Sequence, residues 1–261
     1  MMLSRRNFLN TLGQAGLLTM AAPLFASTNA LKKERMPKDS KSFTLLFQGD
    51  SITDGNRGRT EDPNHIMGHG YAFSIASRLG ADYPERNLHF INKGISGNTI
   101  LDLTARWQQD TIDLKPDVLS ILAGVNDVYF QLKDKDALPA YNFEEAYRKL
   151  LTTTREHLPG VLLVLGEPFV LPVGMVKENL AQWMPEIKQK QEAVKTLAKE
   201  FDAVLINYQH VFTEACKKAA ADYWIWDGIH PTVPGHELMV REWIRQVGKH
   251  LPVITSRYSS K

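Results

Sequence analysis

Four short segments carry residues whose types and spacing could do nucleophilic and acid–base chemistry. The first is Gln48-Gly49-Asp50-Ser51-Ile52-Thr53-Asp54-Gly55, where Ser51 follows an apolar run and a glycine, a place from which a hydroxyl can project at the start of a helix. The second, Asn92-Lys93-Gly94-Ile95-Ser96-Gly97-Asn98-Thr99, holds glycines that allow a tight turn and expose backbone N–H groups to a ligand. The third, Ala123-Gly124-Val125-Asn126-Asp127, places a neutral amide donor, Asn126, where it could meet a developing negative oxygen. The fourth, Trp226-Asp227-Gly228-Ile229-His230-Pro231-Thr232, sets a carboxylate three residues before an imidazole, so one turn can let the acid orient a base. Each segment alone has a plainer reading: Ser51 as a helix cap, the glycines as an ordinary turn, Asn126 as a loop amide, and Asp227 with His230 as a surface ion pair. Position 53 is Thr, so the Gly-x-Ser-x-Gly elbow of α/β-hydrolases is absent. Gly94 and Gly97 do not complete the Gly-x-Gly-x-x-Gly dinucleotide fingerprint, which excludes a nicotinamide site there.

The elements that must position these segments are legible as an alternation. Short apolar runs at 43–47, 88–92, 117–122, 161–165 and 203–206 predict strands buried on both faces. Helical patterns at 71–79, 99–107, 143–157, 177–201, 209–219 and 235–249 lie between and after them, the last with Leu238, Met239, Trp243 and Val247 on one stripe. Strands joined by helices need crossover connections, which predicts a five-stranded parallel sheet in one three-layer α/β/α sandwich. The four segments fall at strand ends, where such sheets build their sites.

Together and in this order, the segments resemble the four blocks of the SGNH hydrolases, the GDSL-type esterase/lipase superfamily, over residues 48–231. The resemblance implies the flavodoxin-like fold of that family and a serine esterase that needs no metal or organic cofactor. It implies Ser51 as nucleophile, His230 as base and Asp227 as its acid partner. It also implies an oxyanion hole formed by the Ser51 N–H, the Gly97 N–H and the Asn126 amide. Ile52 stands where the family often has Leu, and Asn98 where Asp is common after the glycine. The GDSIT and DGIHPT forms are similar to bacterial carbohydrate acetylesterases, which implies deacetylation of an extracellular carbohydrate. A lysophospholipase, a general short-chain esterase and an inactive glycan-binding protein of the same fold are the alternatives. Asp50 and Trp226 are counted as candidate substrate contacts, the latter because Tyr223, Trp224 and Trp226 could stack on sugar rings or else pack in the core. The stretch from Asn56 to Gly70 reads as a loop lining the pocket; its His65 and His69 do not form a metal motif.

Composition bounds the partners. Thirty-one Lys and Arg against 29 Asp and Glu leave a net charge of +2, which argues against nucleic acid as a partner. A single cysteine, Cys216, excludes a disulfide within the chain and a thiolate zinc cluster. Residues 1–30 read as an export signal, with Ser4-Arg5-Arg6-Asn7-Phe8-Leu9 similar to the twin-arginine motif and small residues at Ala26, Ser27 and Ala30. Residues 31–42 read as a linker and 43–261 as the hydrolase domain, periplasmic or extracellular, whose mature chain does not insert in a membrane. Its substrate is a small-molecule or carbohydrate ester; its oligomeric state is not encoded in any motif.

Overall fold

The computed structural model describes residues 42–251 except 135 and 137. The expected signal at 1–30, nearly all of the 31–42 linker, and the last ten residues lie outside the described residues. The elements run β1 (Phe43–Gly49), α1 (Ser51–Asp54), α2 (Tyr71–Asp82), β2 (Leu88–Asn92), α3 (Ile100–Ala105), β3 (Val118–Leu122), α4 (Val125–Lys133) and α5 (Phe143–His157). They continue with β4 (Leu162–Gly166), α6 (Gly174–Glu178), α7 (Leu180–Glu200), β5 (Val204–Ile206), α8 (Tyr208–Ala215), α9 (Ala221–Trp224) and α10 (Val233–Val247).

All five strands are parallel, in the order β2-β1-β3-β4-β5. Side chains alternate across a strand, so each buried strand feeds two cores. Leu45 and Phe47 of β1, with Val118 and Leu122 of β3 and Val164 of β4, pack against Tyr71 and Ile75 of α2 and Trp243 of α10. Leu46, Leu119, Ile121, Leu163 and Leu165 face the other way, against Leu103 of α3, Leu150 and Leu151 of α5 and Val194 and Leu197 of α7. A sheet covered on both faces is the expected sandwich. Among the long-range bonds between helices and the sheet, Trp243 Nε1 of α10 donates to Ser120 Oγ of β3 at 3.0 Å.

Several helices depart from their expected bounds for local reasons. α10 starts at Val233 rather than Gly235 because Thr232 Oγ1 caps it, accepting from Gly235 N at 3.3 Å, and a proline sits in its first turn. The single helix expected over 177–201 is two helices, α6 and α7, meeting at Asn179, which adopts a non-helical φ of −128°. The helix expected over 99–107 gives way after Ala105, and a π-helical turn at Gln108–Ile112 follows. Helix α4 was not expected at all. Its apolar residues Val125, Val128, Tyr129 and Leu132 do fall at helical spacing and pack on the core, but the segment is short and opens on the polar pair Asn126 and Asp127.

Candidate active site

β1 is the central reference, since β2 and β3 flank it in the sheet. Asp50 N-caps α1 in extended conformation, its Oδ1 accepting from Ile52 N at 3.0 Å, so Ser51 becomes the first helical residue. Ser51 is therefore presented at the carboxyl end of β1, half-buried rather than enclosed.

The imidazole arrives from the other end of the chain. Ile225 and Pro231 form an isolated antiparallel bridge, and Trp226 N donates to His230 O at 3.1 Å, closing a tight turn. Within it Gly228 adopts φ +103°, and a Cβ there would lie 2.5 Å from Val173 O, so only glycine fits. Asp227 Oδ1 accepts from the backbone N–H groups of Ile229 and His230 at 2.9 and 2.7 Å. Asp227 Oδ2 then lies 2.6 Å from His230 Nδ1, and His230 Nε2 lies 2.8 Å from Ser51 Oγ. An ionised Asp227 can only accept, which assigns the ring proton to Nδ1 and leaves Nε2 free to accept from the serine.

The electrostatics agree with that assignment. Burial pushes the Asp227 carboxyl up, but hydrogen bonds from the His230 ring and backbone and from Ile229 N outweigh it and hold the carboxyl below its ordinary range. The bond to Asp227 raises the His230 imidazole against its own burial.

The segments after β2 and β3 approach from either side. Ile95 N donates to Gly49 O at 3.0 Å, joining the β2 loop to the turn before Ser51. Gly97 sits in that loop at φ +84°, with open space on its Cβ side. Asn126 Nδ2 donates to Asn98 O at 3.1 Å, which uses one of its two amide hydrogens. Thus Gly97 and Asn126 are linked through Asn98.

Two expected substrate contacts separate in the structure. Trp226 is 64% exposed and stacks on His230, with ring centroids 6.1 Å apart at 24°. Tyr223 is also exposed, whereas Trp224 packs inward and donates from Nε1 to Ala215 O at 3.1 Å. Asp50, the other expected contact, is 0% exposed, and the capping geometry turns its carboxylate inward. Burial pushes its carboxyl up to about 7, against the lowering effect of the Ile52 N–H and the nearby His230. The 56–70 stretch is tied to the helix that carries Ser51, because Arg59 forks onto Asp54 at 3.0 and 2.8 Å.

Several braces of the site were not singled out from sequence. Arg106 donates from Nε to Asn98 Oδ1 at 2.8 Å and from Nη1 to Gln48 Oε1 and Lys93 O, each at 2.9 Å. Asp127, next to Asn126, accepts from Ile100 N at 3.2 Å and from the Tyr141 hydroxyl. Asn92 Nδ2 donates to Thr53 O at 2.7 Å, and Asn92 Oδ1 accepts from Gly94 N at 2.9 Å. Asn92 and Asp127 lie within the blocks, whereas Arg106 lies between the second and the third and carried no signal.

The chain matches known proteins over most of this body. A family model, described as the GDSL-like Lipase/Acylhydrolase family, matches residues 47–238. The acetylxylan esterase of Geobacillus stearothermophilus is 36% identical over 211 residues, covering 78% of this chain and 93% of that protein. Its crystal structure superposes with a TM-score of 0.71 at 34% identity, covering 84% of this chain and 99% of that one. A structure described as a GDSL-like lipase from Parabacteroides merdae superposes with a TM-score of 0.76 at 37% identity, covering 80% and 97%.

Proposed function

The chain belongs to the GDSL-like lipase/acylhydrolase family and is a carboxylic ester hydrolase, and on that premise we propose that it removes acetyl groups from a carbohydrate through Ser51, His230 and Asp227. The observation that carries the reading is the unbroken relay from Ser51 Oγ to His230 at 2.8 Å and on to Asp227 at 2.6 Å. A serine hydroxyl is a weak nucleophile at neutral pH and needs such a base. His230 accepts the proton as Ser51 attacks the ester carbonyl, and Asp227 stabilises the imidazolium without taking the proton. His230 then returns the proton to the leaving alcohol. Water, activated by the same imidazole, releases acetate from the acyl-enzyme. The tetrahedral oxyanion is received by the Ser51 and Gly97 N–H groups and the second Asn126 amide hydrogen.

The carbohydrate part of the reading has two supports. The related Geobacillus protein is an acetylxylan esterase, and solved variants of it at a serine and an aspartate are described as catalytic mutants. Trp226, exposed beside His230, offers a flat face of the kind on which sugar rings stack. Export is part of the same proposal, on the Arg5-Arg6 segment and the small residues that follow it. Among the described residues no helix is long and apolar enough to cross a membrane.

The test is hydrolysis of acetylated xylo-oligosaccharides and of acetyl and octanoyl esters of one chromogenic alcohol by wild type and Ser51→Ala. The variant is expected to lose at least about 10³-fold in turnover while folding normally. Retention of a tenth of the wild-type rate removes Ser51 from its role, and a strong octanoyl preference overturns the acetyl reading.

A further inference from the structure

Helix α1 begins with Ser51 and ends with Asp54, so the two residues share one helical turn. Asp54 is 2% exposed, yet its carboxylate is fully engaged. Oδ1 accepts from Arg57 N at 3.1 Å and Arg59 Nη1 at 3.0 Å. Oδ2 accepts from Arg59 Nη2 at 2.8 Å, and from Ser96 N and Ser96 Oγ at 3.0 and 2.9 Å. Two of these five bonds hold both the backbone and the side chain of Ser96, the residue immediately before Gly97.

Gly97 is a hinge with no side chain to set its direction, and its φ of +84° is one of many that glycine can adopt. Its orientation must come from its neighbours. On one side stands Ser96, tied to Asp54. On the other stands Asn98, whose N donates to Ile95 O at 3.1 Å and whose side chain and carbonyl are held by Arg106 and Asn126. We propose that Asp54, braced by Arg59, is a positioning residue that aims the Gly97 N–H at the reacting oxygen by fixing the Ser96–Gly97 peptide to the helix that carries Ser51. The inference rests on the oxyanion role proposed for Gly97 above.

The chemistry of the brace fits the task. A carboxylate buried without a partner would be forced toward its neutral form and would lose half its acceptor capacity. Burial does push Asp54 up, but the bonds from Arg59 and Ser96 outweigh it and keep the carboxyl below its ordinary range. The forked, two-bond geometry is particular to guanidinium, so lysine at position 59 could supply charge but not both contacts. Arg59 is itself half-exposed and Ser96 is exposed, so either can be altered without opening a core.

The experiment measures kcat and KM for an acetyl ester with Asp54→Asn, Arg59→Ala, Arg59→Lys and Ser96→Ala. Turnover is counted per serine titrated by a phosphonate, and affinity for a boronic acid that forms a tetrahedral serine adduct is measured alongside. Asp54→Asn is expected to lower kcat per titrated site by roughly 10–100-fold, less than loss of a donor itself, with KM within about twofold. Boronate affinity should fall in parallel. Arg59→Ala and Ser96→Ala should each lower kcat by roughly 3–10-fold, with Arg59→Lys recovering part of the loss. A merely structural role would reduce the titratable fraction or the melting temperature and leave kcat per site unchanged. If Asp54→Asn does not fold, Arg59→Ala and Ser96→Ala decide. Wild-type kcat per site in every variant that folds, or a change confined to KM, overturns the inference. If the wild type cleaves no acetyl ester, or Ser51→Ala keeps its rate, the functional reading has failed instead.

Discussion

The turn at residues 225–231 and the loop at residues 94–99 belong to one proposed site but are built in opposite ways. The first draws most of its bonds from within, with one outside tie from Leu171 N to Gly228 O at 3.0 Å. Asp227 bonds to the N–H groups of Ile229 and His230 and to the His230 ring, and the Ile225–Pro231 bridge closes the turn on itself. The second owes its shape to distant parts of the chain. Asp54 holds Ser96 from 42 residues away, Asn126 holds Asn98 from 28, and Gly49 accepts from Ile95. The acid and the base are set against each other within one turn, and only the Nε2 of His230 has to reach Ser51, 179 residues away. Donors for a developing charge must point at a place defined by another strand, so several elements must agree on their direction.

That contrast can be broken from the local side first, where the effect should be largest. Asp227→Asn keeps the size of the side chain but reverses its preference at Nδ1, favouring the wrong imidazole tautomer. Turnover should fall by about 10⁴-fold with little change in the melting temperature. Steady-state kinetics with parallel thermal melts check it, and a loss below tenfold would mean that the turn is not the acid–base unit.

The distributed loop should respond less steeply and in a different parameter. Asn126→Ala removes one expected donor and also frees Asn98 O, and should lower kcat by about 10²–10³-fold with KM nearly unchanged. An effect confined to KM would make Asn126 a substrate contact and the loop a binding surface.

Asp50 belongs to neither region and sharpens the comparison through stability rather than rate. Its carboxyl is raised from 3.8 to about 7 by burial, so between those values the folded chain holds a proton that the unfolded chain has lost. This contribution is fully present below about pH 4 and is lost as pH rises through about 7. Asp50→Asn retains a cap for Ile52 and cannot ionise, so wild type should lose stability relative to it across that window. Urea unfolding of both proteins at pH 5 and pH 8 measures this; equal changes in the two would place the Asp50 titration at its ordinary value.

The same division explains what could be read from the amino acids alone. The five strands were legible because runs such as 117–122 are apolar on both faces, and a parallel sheet follows from the helices between them. The Asp227–His230 pair was legible because its geometry is contained in its spacing. Trp226 and Trp224 were not separable, since only the turn geometry decides which of two nearby indoles faces out. Asp50 reads as a contact because it is polar and adjoins a nucleophile, and its capping role, which points the side chain back into the protein, is visible only in the fold. Asp54, Arg106 and Asp127 were overlooked because each is joined to a distant segment, Asp54 to Ser96, Arg106 to Gln48 and Asp127 to Ile100, by contacts that carry no periodicity. α4 escaped because it is short, although Val125 and Val128 of its opening turn face the core at helical spacing.

Compactness of the 225–231 turn also has an evolutionary side. Acid, base and the glycine they require occupy four consecutive codons, so descent transmits or erases them as one package. Among them only Ile229 belongs to a buried apolar cluster, the one that holds Leu45 and Phe47 of β1, so Asp227 and His230 can change without removing an apolar side chain from it. A lineage could therefore retire the chemistry by altering this short stretch and still inherit an intact scaffold on which a non-hydrolytic trade could be taken up.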